Sequence, residues 1–299
     1  MKKGIFLDER FLAIWDRIKH RTVYRVTVNS ADLISNCIEA VKEMSAVPKA
    51  KIATVTVRLK YEETGISHTQ TGLRTDEIEE QNPRLLDIIN IIANECRIKR
   101  SDCYEILDKS KRINEFFYNP QQFLEQVIRI VKEQKRDLEI KGIKYEKTKD
   151  KENYEMDFLD VFECKEITAF LGKNAVEIKN DRSIYEKYMI YDPNSQGIEK
   201  PFALDLDVDE DVRMFFKLPA SFTINTPLGT YNPDWAVFLE ENGVEKMYFV
   251  IETKSTTNRL DLRYAEDKKI HCGIRHFEAL DSGVEQHLAK NWTKFRLGN

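Results

Sequence analysis

Three side chains in the last third of the chain have the types and spacing to do chemistry. Asp234 lies in the run Asn232-Pro233-Asp234-Trp235, and 18 residues later Glu252-Thr253-Lys254 places a second acid two positions before a lysine. Each lies beside an apolar run that reads as a β-strand: Trp235-Ala236-Val237-Phe238-Leu239 follows the aspartate, and Met247-Tyr248-Phe249-Val250-Ile251 precedes the glutamate. Strand side chains alternate faces, so Glu252 and Lys254 share one face and Thr253 points to the other. Pairing of the two strands as a hairpin would bring Asp234, Glu252 and Lys254 to one end of a sheet. Two carboxylates about 4 Å apart repel by about 4 kcal/mol at an effective dielectric near 20, so a fold that keeps them together needs a cation to relieve them. Two acids with a lysine suit a hard divalent cation and a water nucleophile. The expected roles are Mg²⁺ ligation through oxygen by Asp234 and Glu252, and orientation of the water by Lys254, or its deprotonation if the site lowers that lysine's pKa. That equipment suits phosphodiester hydrolysis.

The elements that must carry these residues follow from periodicity. In the second half, a helix is expected over Gly197–Leu206, and strands at Val212–Lys217, Phe222–Ile224, Tyr231–Leu239 and Met247–Lys254. A helix from Leu260 to about Leu280 and another short one over Val284–Phe295 complete an α/β sandwich around a mixed sheet. The first half reads as helix-rich. A helix over Asp8–Arg21 precedes a strand Thr22–Val28, and Asn29 or Ser30 caps a helix to about Met44. A long strand is expected over Ala50–Glu62, and helices at Arg84–Arg97 behind Pro83, after Ser101, and at Gln121–Leu138 behind Pro120. The mixed-charge stretch Lys132–Glu152 reads as a solvated helix end and connection. The expected organisation is a helix-rich α/β linker or docking domain over 1–150, a connection over 151–180, and the site-bearing domain over 181–299.

Composition sets limits on function. The chain has 299 residues, 33% charged and 41% apolar, with a net charge of −4. That balance argues against a protein that coats nucleic acid unaided, since phosphate binding draws on basic surfaces. No apolar run approaches the roughly 18 to 20 residues of a membrane span, and Met1-Lys2-Lys3-Gly4-Ile5 leads into no signal core, so a soluble cytoplasmic protein is expected. Five cysteines without a CxxC pair read as reduced thiols. His271 and His276, five apart, do not make a helical metal pair.

The residues around the acids carry a family resemblance. Phe216-Lys217-Leu218-Pro219, Thr226-Pro227-Leu228-Gly229-Thr230-Tyr231-Asn232-Pro233-Asp234-Trp235-Ala236 and Phe249-Val250-Ile251-Glu252-Thr253-Lys254 closely resemble the C-terminal endonuclease domain of the restriction (Res) subunit of type III restriction enzymes, in the PD-(D/E)xK class. Ile198–Ala203, Leu262-Arg263, Glu266, Lys269-Ile270 and His276-Phe277 resemble its flanking helices, so the likeness covers about 195 to 280. Phe11, Trp15 and Ile18 followed by Arg21-Thr22-Val23-Tyr24 resemble, less specifically, the segment joining motor to nuclease.

The resemblance implies a restriction-endonuclease-like mixed sheet flanked by helices and a Mg²⁺-dependent (or Mn²⁺-dependent) endodeoxyribonuclease of a phage-defence restriction system. Its implied products carry 5′-phosphate and 3′-hydroxyl ends. The implied site is Asp234, Glu252 and Lys254, with Glu199, rather than Glu210, as a further helix acid. Its implied partners are double-stranded DNA, a helicase motor and a modification methyltransferase. No G-x-x-x-x-G-K-[S/T] loop occurs; Leu171-Gly172-Lys173-Asn174 lacks the first glycine and the Ser/Thr, and no Asp-Glu-x-His-type box is found. The expectation is therefore the nuclease part of such a subunit, a fragment or split-gene product without ATPase motifs. The alternative is a non-catalytic assembly or DNA-binding module that docks onto a motor or methyltransferase.

Overall fold

The computed structural model describes residues 4–62, 65–77, 87–148, 152–154, 175–191, 196–243, 245–254 and 264–297. Two compact units divide the chain: Thr27–Lys141, and Met1–Val26 together with Gly142–Asn299. The first 26 residues, expected with the N-terminal half, thus pack with the C-terminal one. The reason is a strand pair: β1 (Thr22–Val26) runs antiparallel to β4 (Ile143–Lys147), with Val26 opposite Ile143. Most of the expected connection over 151–180 lies outside the described residues.

The Thr27–Lys141 unit is a helical cluster carrying one β-ribbon. Its helices are α2 (Ser30–Glu43), α3 (Ile88–Cys96), α4 (Arg100–Ser110) and α5 (Pro120–Lys141). Asn29 caps α2 by accepting from the Ala31 N–H, and Asp87 caps α3 by accepting from Asn90. The segment that Pro83 was expected to open begins outside the described residues, and the helix there starts at Ile88. The core is apolar throughout: Cys37, Val41, Ile92, Phe123, Val127 and Val131 are all but inaccessible. Fully burying each aliphatic or aromatic side chain contributes about 1.5–3 kcal/mol, which is what makes this unit a unit. Burial pushes the thiols of Cys37 and Cys103 up to about 12 and about 11, so they stay protonated. The ribbon pairs β2 (Lys51–Glu62) with β3 (Gly65–Glu77) and leaves Val55, Val57, Leu59, Tyr61 and Leu73 exposed.

The other unit is built on a four-stranded mixed sheet in the order β12-β11-β10-β7. Here β7 is Val212–Lys217, β10 Trp235–Glu241, β11 Glu245–Thr253 and β12 Val284–Ala289. β10 runs antiparallel to both β7 and β11; β12 lies parallel to β11, with α7 (Tyr264–Leu280) in the crossover. One face presents Phe215, Trp235, Val237, Phe249 and Ile251 to α6 (Gln196–Val208) and α8 (Trp292–Arg296). The Phe202 ring lies 5.5 Å from Trp235, and Phe295 lies 5.4 Å from Phe249. The opposite face receives α1 (Glu9–Ile18), whose Phe11 ring is 5.2 Å from Phe216 and whose Arg17 sits 4.0 Å over Tyr248. The apolar spacing Phe11, Ile14, Trp15, Ile18 makes that helix amphipathic, and all four are buried. The hairpin β8 (Ile224–Thr226) with β9 (Gly229–Tyr231) and the short pair β5 (Ala175–Glu177) with β6 (Tyr188–Ile190) complete the unit.

Three expectations are corrected. The run Val284–Ala289 is a strand, not part of a helix: its ladder with β11 overrides a composition that suits either state. Within the charged stretch after 132, Ile143–Lys147 is a strand whose Ile143 and Tyr145 point inward between outward Lys144 and Glu146. The single strand expected over Tyr231–Leu239 is two, broken at Asn232-Pro233-Asp234. Among the described residues no helix is long and apolar enough to cross a membrane, and Cys37, Cys96, Cys103 and Cys272 are free thiols. His276 is a core histidine: its Nδ1 lies 2.7 Å from Thr22 Oγ1, and burial lowers its pKa to about 3.

Candidate active site

The stretch Thr226–Ala236 is a device for delivering one carboxylate. Thr226 Oγ1 donates to the Gly229 carbonyl (2.6 Å) and accepts from the Leu228 N–H (3.1 Å), tightening the turn between β8 and β9. Gly229 sits at φ +94°, a conformation L side chains rarely adopt, with open space around it, so its backbone angle rather than crowding requires glycine. Asn232 then ties the chain down, its amide donating to the carbonyls of Pro219 (3.1 Å) and Phe222 (2.6 Å). Pro233 fixes the approach, and Trp235 enters the core. The register Trp235↔Ile251, continued by one residue, sets Asp234 across from Glu252. On the other side Lys217 pairs with Trp235, and the Leu218 N–H donates to the Asp234 carbonyl (2.9 Å). The aspartate is thereby clamped between the ends of β7 and β11.

The expected convergence of Asp234, Glu252 and Lys254 is found. Asp234 Oδ2 accepts from both the N–H and the hydroxyl of Thr253, each at 2.7 Å, while Oδ1 has no hydrogen bond among the described residues. Glu252, buried, places Oε1 3.0 Å from the Lys254 ammonium and accepts on Oε2 from the Tyr231 hydroxyl at 3.0 Å. Burial, and then the neighbouring Asp234 charge, push the Glu252 carboxyl up to about 7; Lys254 and Tyr231 pull the other way. Burial likewise raises the Asp234 carboxyl, against the Thr253 bonds and the Lys217 charge. Burial alone would lower the Lys254 ammonium, but the charges of Glu252, Asp234 and Glu266 outweigh it and raise the pKa. Of the two roles expected for Lys254, the raised pKa suits orientation of the water rather than its deprotonation.

Glu199 lies on the opposite face. It comes from the first turn of α6, is buried, and meets the Lys217 ammonium at 2.6 Å. That ammonium also sits 5.9 Å over the Trp235 ring. Glu199 and Lys217 act on Asp234 through their charges, one raising and one lowering its pKa. Glu199 is thus near the aspartate but engaged with a second lysine. Lys217 lay within the resembling stretch without a role assigned to it. Thr253, expected only to point away from Glu252 and Lys254, is the residue that holds Asp234.

Among the described residues no three or more His, Cys, Asp or Glu side chains gather as a metal-ligand set. The donor pair fits a divalent cation all the same. Both groups are hard carboxylate oxygens, the Asp234 charge raises the proton affinity of Glu252, and Asp234 Oδ1 has no hydrogen bond among the described residues. An ion such as Mg²⁺ is held by one or two carboxylates and keeps several waters.

Residues 181–292 match the model of a family described as an endonuclease domain. The matched segment contains Glu199, Lys217, Tyr231, Asp234, Glu252 and Lys254. It supports a restriction-endonuclease-like nuclease domain in this part of the chain, and with it nuclease activity. No curated protein and no solved structure matches the chain.

Proposed function

We propose that the chain is the Mg²⁺-dependent endodeoxyribonuclease module of a type III restriction-modification system, with a PD-(D/E)xK site made by Asp234, Glu252 and Lys254. The observation that carries this reading is the placing of Asp234 across from the buried Glu252 at one sheet end, with the Lys254 ammonium 3.0 Å from the glutamate. Asp234 and Glu252 would hold the Mg²⁺, which when bound activates water and offsets charge on the phosphate. Thr253 fixes Asp234 so that Oδ1 is the oxygen available. Lys254 supplies a hydrogen bond and positive charge to the phosphate or to the attacking oxygen. Glu199 holds Lys217 near Asp234, where the ammonium tempers the charge of the acid pair. Attack by water on phosphorus with cleavage of the P–O3′ bond leaves 5′-phosphate and 3′-hydroxyl ends.

Double-stranded DNA is the substrate in this reading. A helicase motor and a modification methyltransferase supply translocation and sequence recognition. The test is plasmid DNA with purified protein and Mg²⁺ or Mn²⁺. Nicking or linearisation that disappears in Asp234→Asn, Glu252→Gln and Lys254→Met is expected. Equal cleavage by parent and variants would show that the site assignment is wrong. A parent inert on DNA that also shows no Asp234-dependent Mg²⁺ binding would leave a docking module instead.

A further inference from the structure

Behind Glu252 lies a second layer of polar side chains that the hydrolytic residues do not account for. Gln286, on β12, stands beside Val250 in the parallel ladder, two positions before the Glu252–Leu288 pair, and so on the same sheet face as Glu252. Its Nε2 donates to the Tyr231 hydroxyl oxygen at 2.6 Å, and that hydroxyl donates to Glu252 Oε2 at 3.0 Å. All three residues are buried, at 7%, 6% and 4% exposure. The phenol has one proton, and it is committed to the carboxylate. The phenol oxygen can therefore only accept from its other neighbour, which fixes the Gln286 amide with nitrogen forward.

Two local sacrifices support this chain of bonds. Gln286 Oε1 is buried with no hydrogen-bond partner among the described residues, a cost that an apolar side chain would avoid. Gly273, within α7, is the second. A Cβ there would come 2.3 Å from Gln286 Oε1 and 2.5 Å from the Tyr231 ring, so the helix carries its weakest ordinary residue to let the pair through. Packing alone would favour the reverse choices at both positions.

We propose that Tyr231 and Gln286 form a positioning relay for Glu252: Gln286 orients the phenol, and the phenol holds Oε2 so that Oε1 is the oxygen turned to Lys254 and to a divalent cation. The relay rests on the metal-nuclease reading above. Groups bonded to a metal ligand in this way commonly set metal affinity over about ten- to a hundredfold.

Calorimetric titration of the full chain with Mg²⁺ alone tests it, with a thermal melt of each variant and Asp234→Ala as the reference for site binding. Tyr231→Phe, which removes one oxygen, is expected to weaken Mg²⁺ binding about tenfold. Gln286→Met is expected to weaken it by a smaller factor, and the double variant to match Tyr231→Phe, because the glutamine acts only through the phenol. Mg²⁺ affinity equal to the parent's in Tyr231→Phe, whatever its melting temperature, overturns the relay, and so do additive losses in the double variant. If Tyr231→Phe does not fold, Gln286→Met decides alone, and unchanged affinity there overturns the proposal. A parent that binds no Mg²⁺ overturns the metal reading and the relay together; a parent whose binding is lost in Asp234→Ala but kept in Tyr231→Phe overturns the relay only.

Discussion

The two compact units bury different kinds of residue. In the helical unit the buried set is apolar, with Ser110 as the buried polar side chain among the described residues. In the sheet unit Glu199, Asp207, Glu252, Thr253, His276 and Gln286 are all buried. Some of these are structural: Asp207 accepts from the backbone of Lys179 (2.9 Å) and Asn180 (3.1 Å) and fastens a turn. Asp234 and Glu252 at the sheet end are hydrogen-bonded as well, yet burial still raises the pKa of both. Carboxylates taken wholly or partly out of water destabilise a fold, while the helical unit shows what this chain does where only stability is at stake. Chemistry belongs where burial works against stability.

That contrast can be broken experimentally. Asp234→Asn or Glu252→Gln is expected to cut plasmid cleavage about a thousandfold, the several kcal/mol a metal site contributes to the transition state. Circular-dichroism melts of the same proteins should show no loss of stability, and a collapse of the fold would mean the acids are structural. Phe123→Ala should do the opposite. A fully buried core aromatic removed from the helical unit costs about 3–5 kcal/mol in urea unfolding, with cleavage per folded molecule unchanged.

Next in size is a pH effect. In metal-free protein the Glu252 carboxyl stands at about 7 against an ordinary 4.5, so its contribution is complete below the lower value and is lost as pH rises through the upper one. The shift corresponds to about 3 kcal/mol, and the raised Asp234 carboxyl acts in the same direction. Urea titrations at pH 5 and pH 8 in chelator should show the parent losing stability relative to Glu252→Gln; parallel behaviour would remove the coupling. The smallest effect is Ser110→Ala. It deletes one buried hydroxyl that donates to the Leu107 carbonyl at 3.0 Å and should cost about 1 kcal/mol, without touching Mg²⁺ binding.

The sequence carries the acids and the lysine plainly, because each stands at the edge of an apolar run whose alternation is local. The helices α1, α2 and α5 are legible for the same reason: an apolar stripe with Asp8, Asn29 or Pro120 at its head. What escapes is what depends on partners far along the chain. Gln286 lies in a run with no strand signature of its own, and only the parallel ladder to β11 brings it under Tyr231. Lys217 and Glu199 read as unrelated charges until β7 and α6 are laid on one face. β4 hides inside a charge-rich stretch because its inward residues are only Ile143 and Tyr145.

The rung Val26↔Ile143 has a topological meaning. The residues on either side of Thr27–Lys141 are neighbours in one ladder, so the helical unit is an insertion in a hairpin whose two strands are complete without it. In genetic terms the nuclease-like unit is discontinuous. A chain cut to the family-matched segment from residue 181 would leave behind β1, β4 and α1, and with α1 the cover over Phe216 and Tyr248. The smallest self-contained version is instead expected to keep both outer pieces, with a two-residue turn such as Asn-Gly joining Val26 to Ile143.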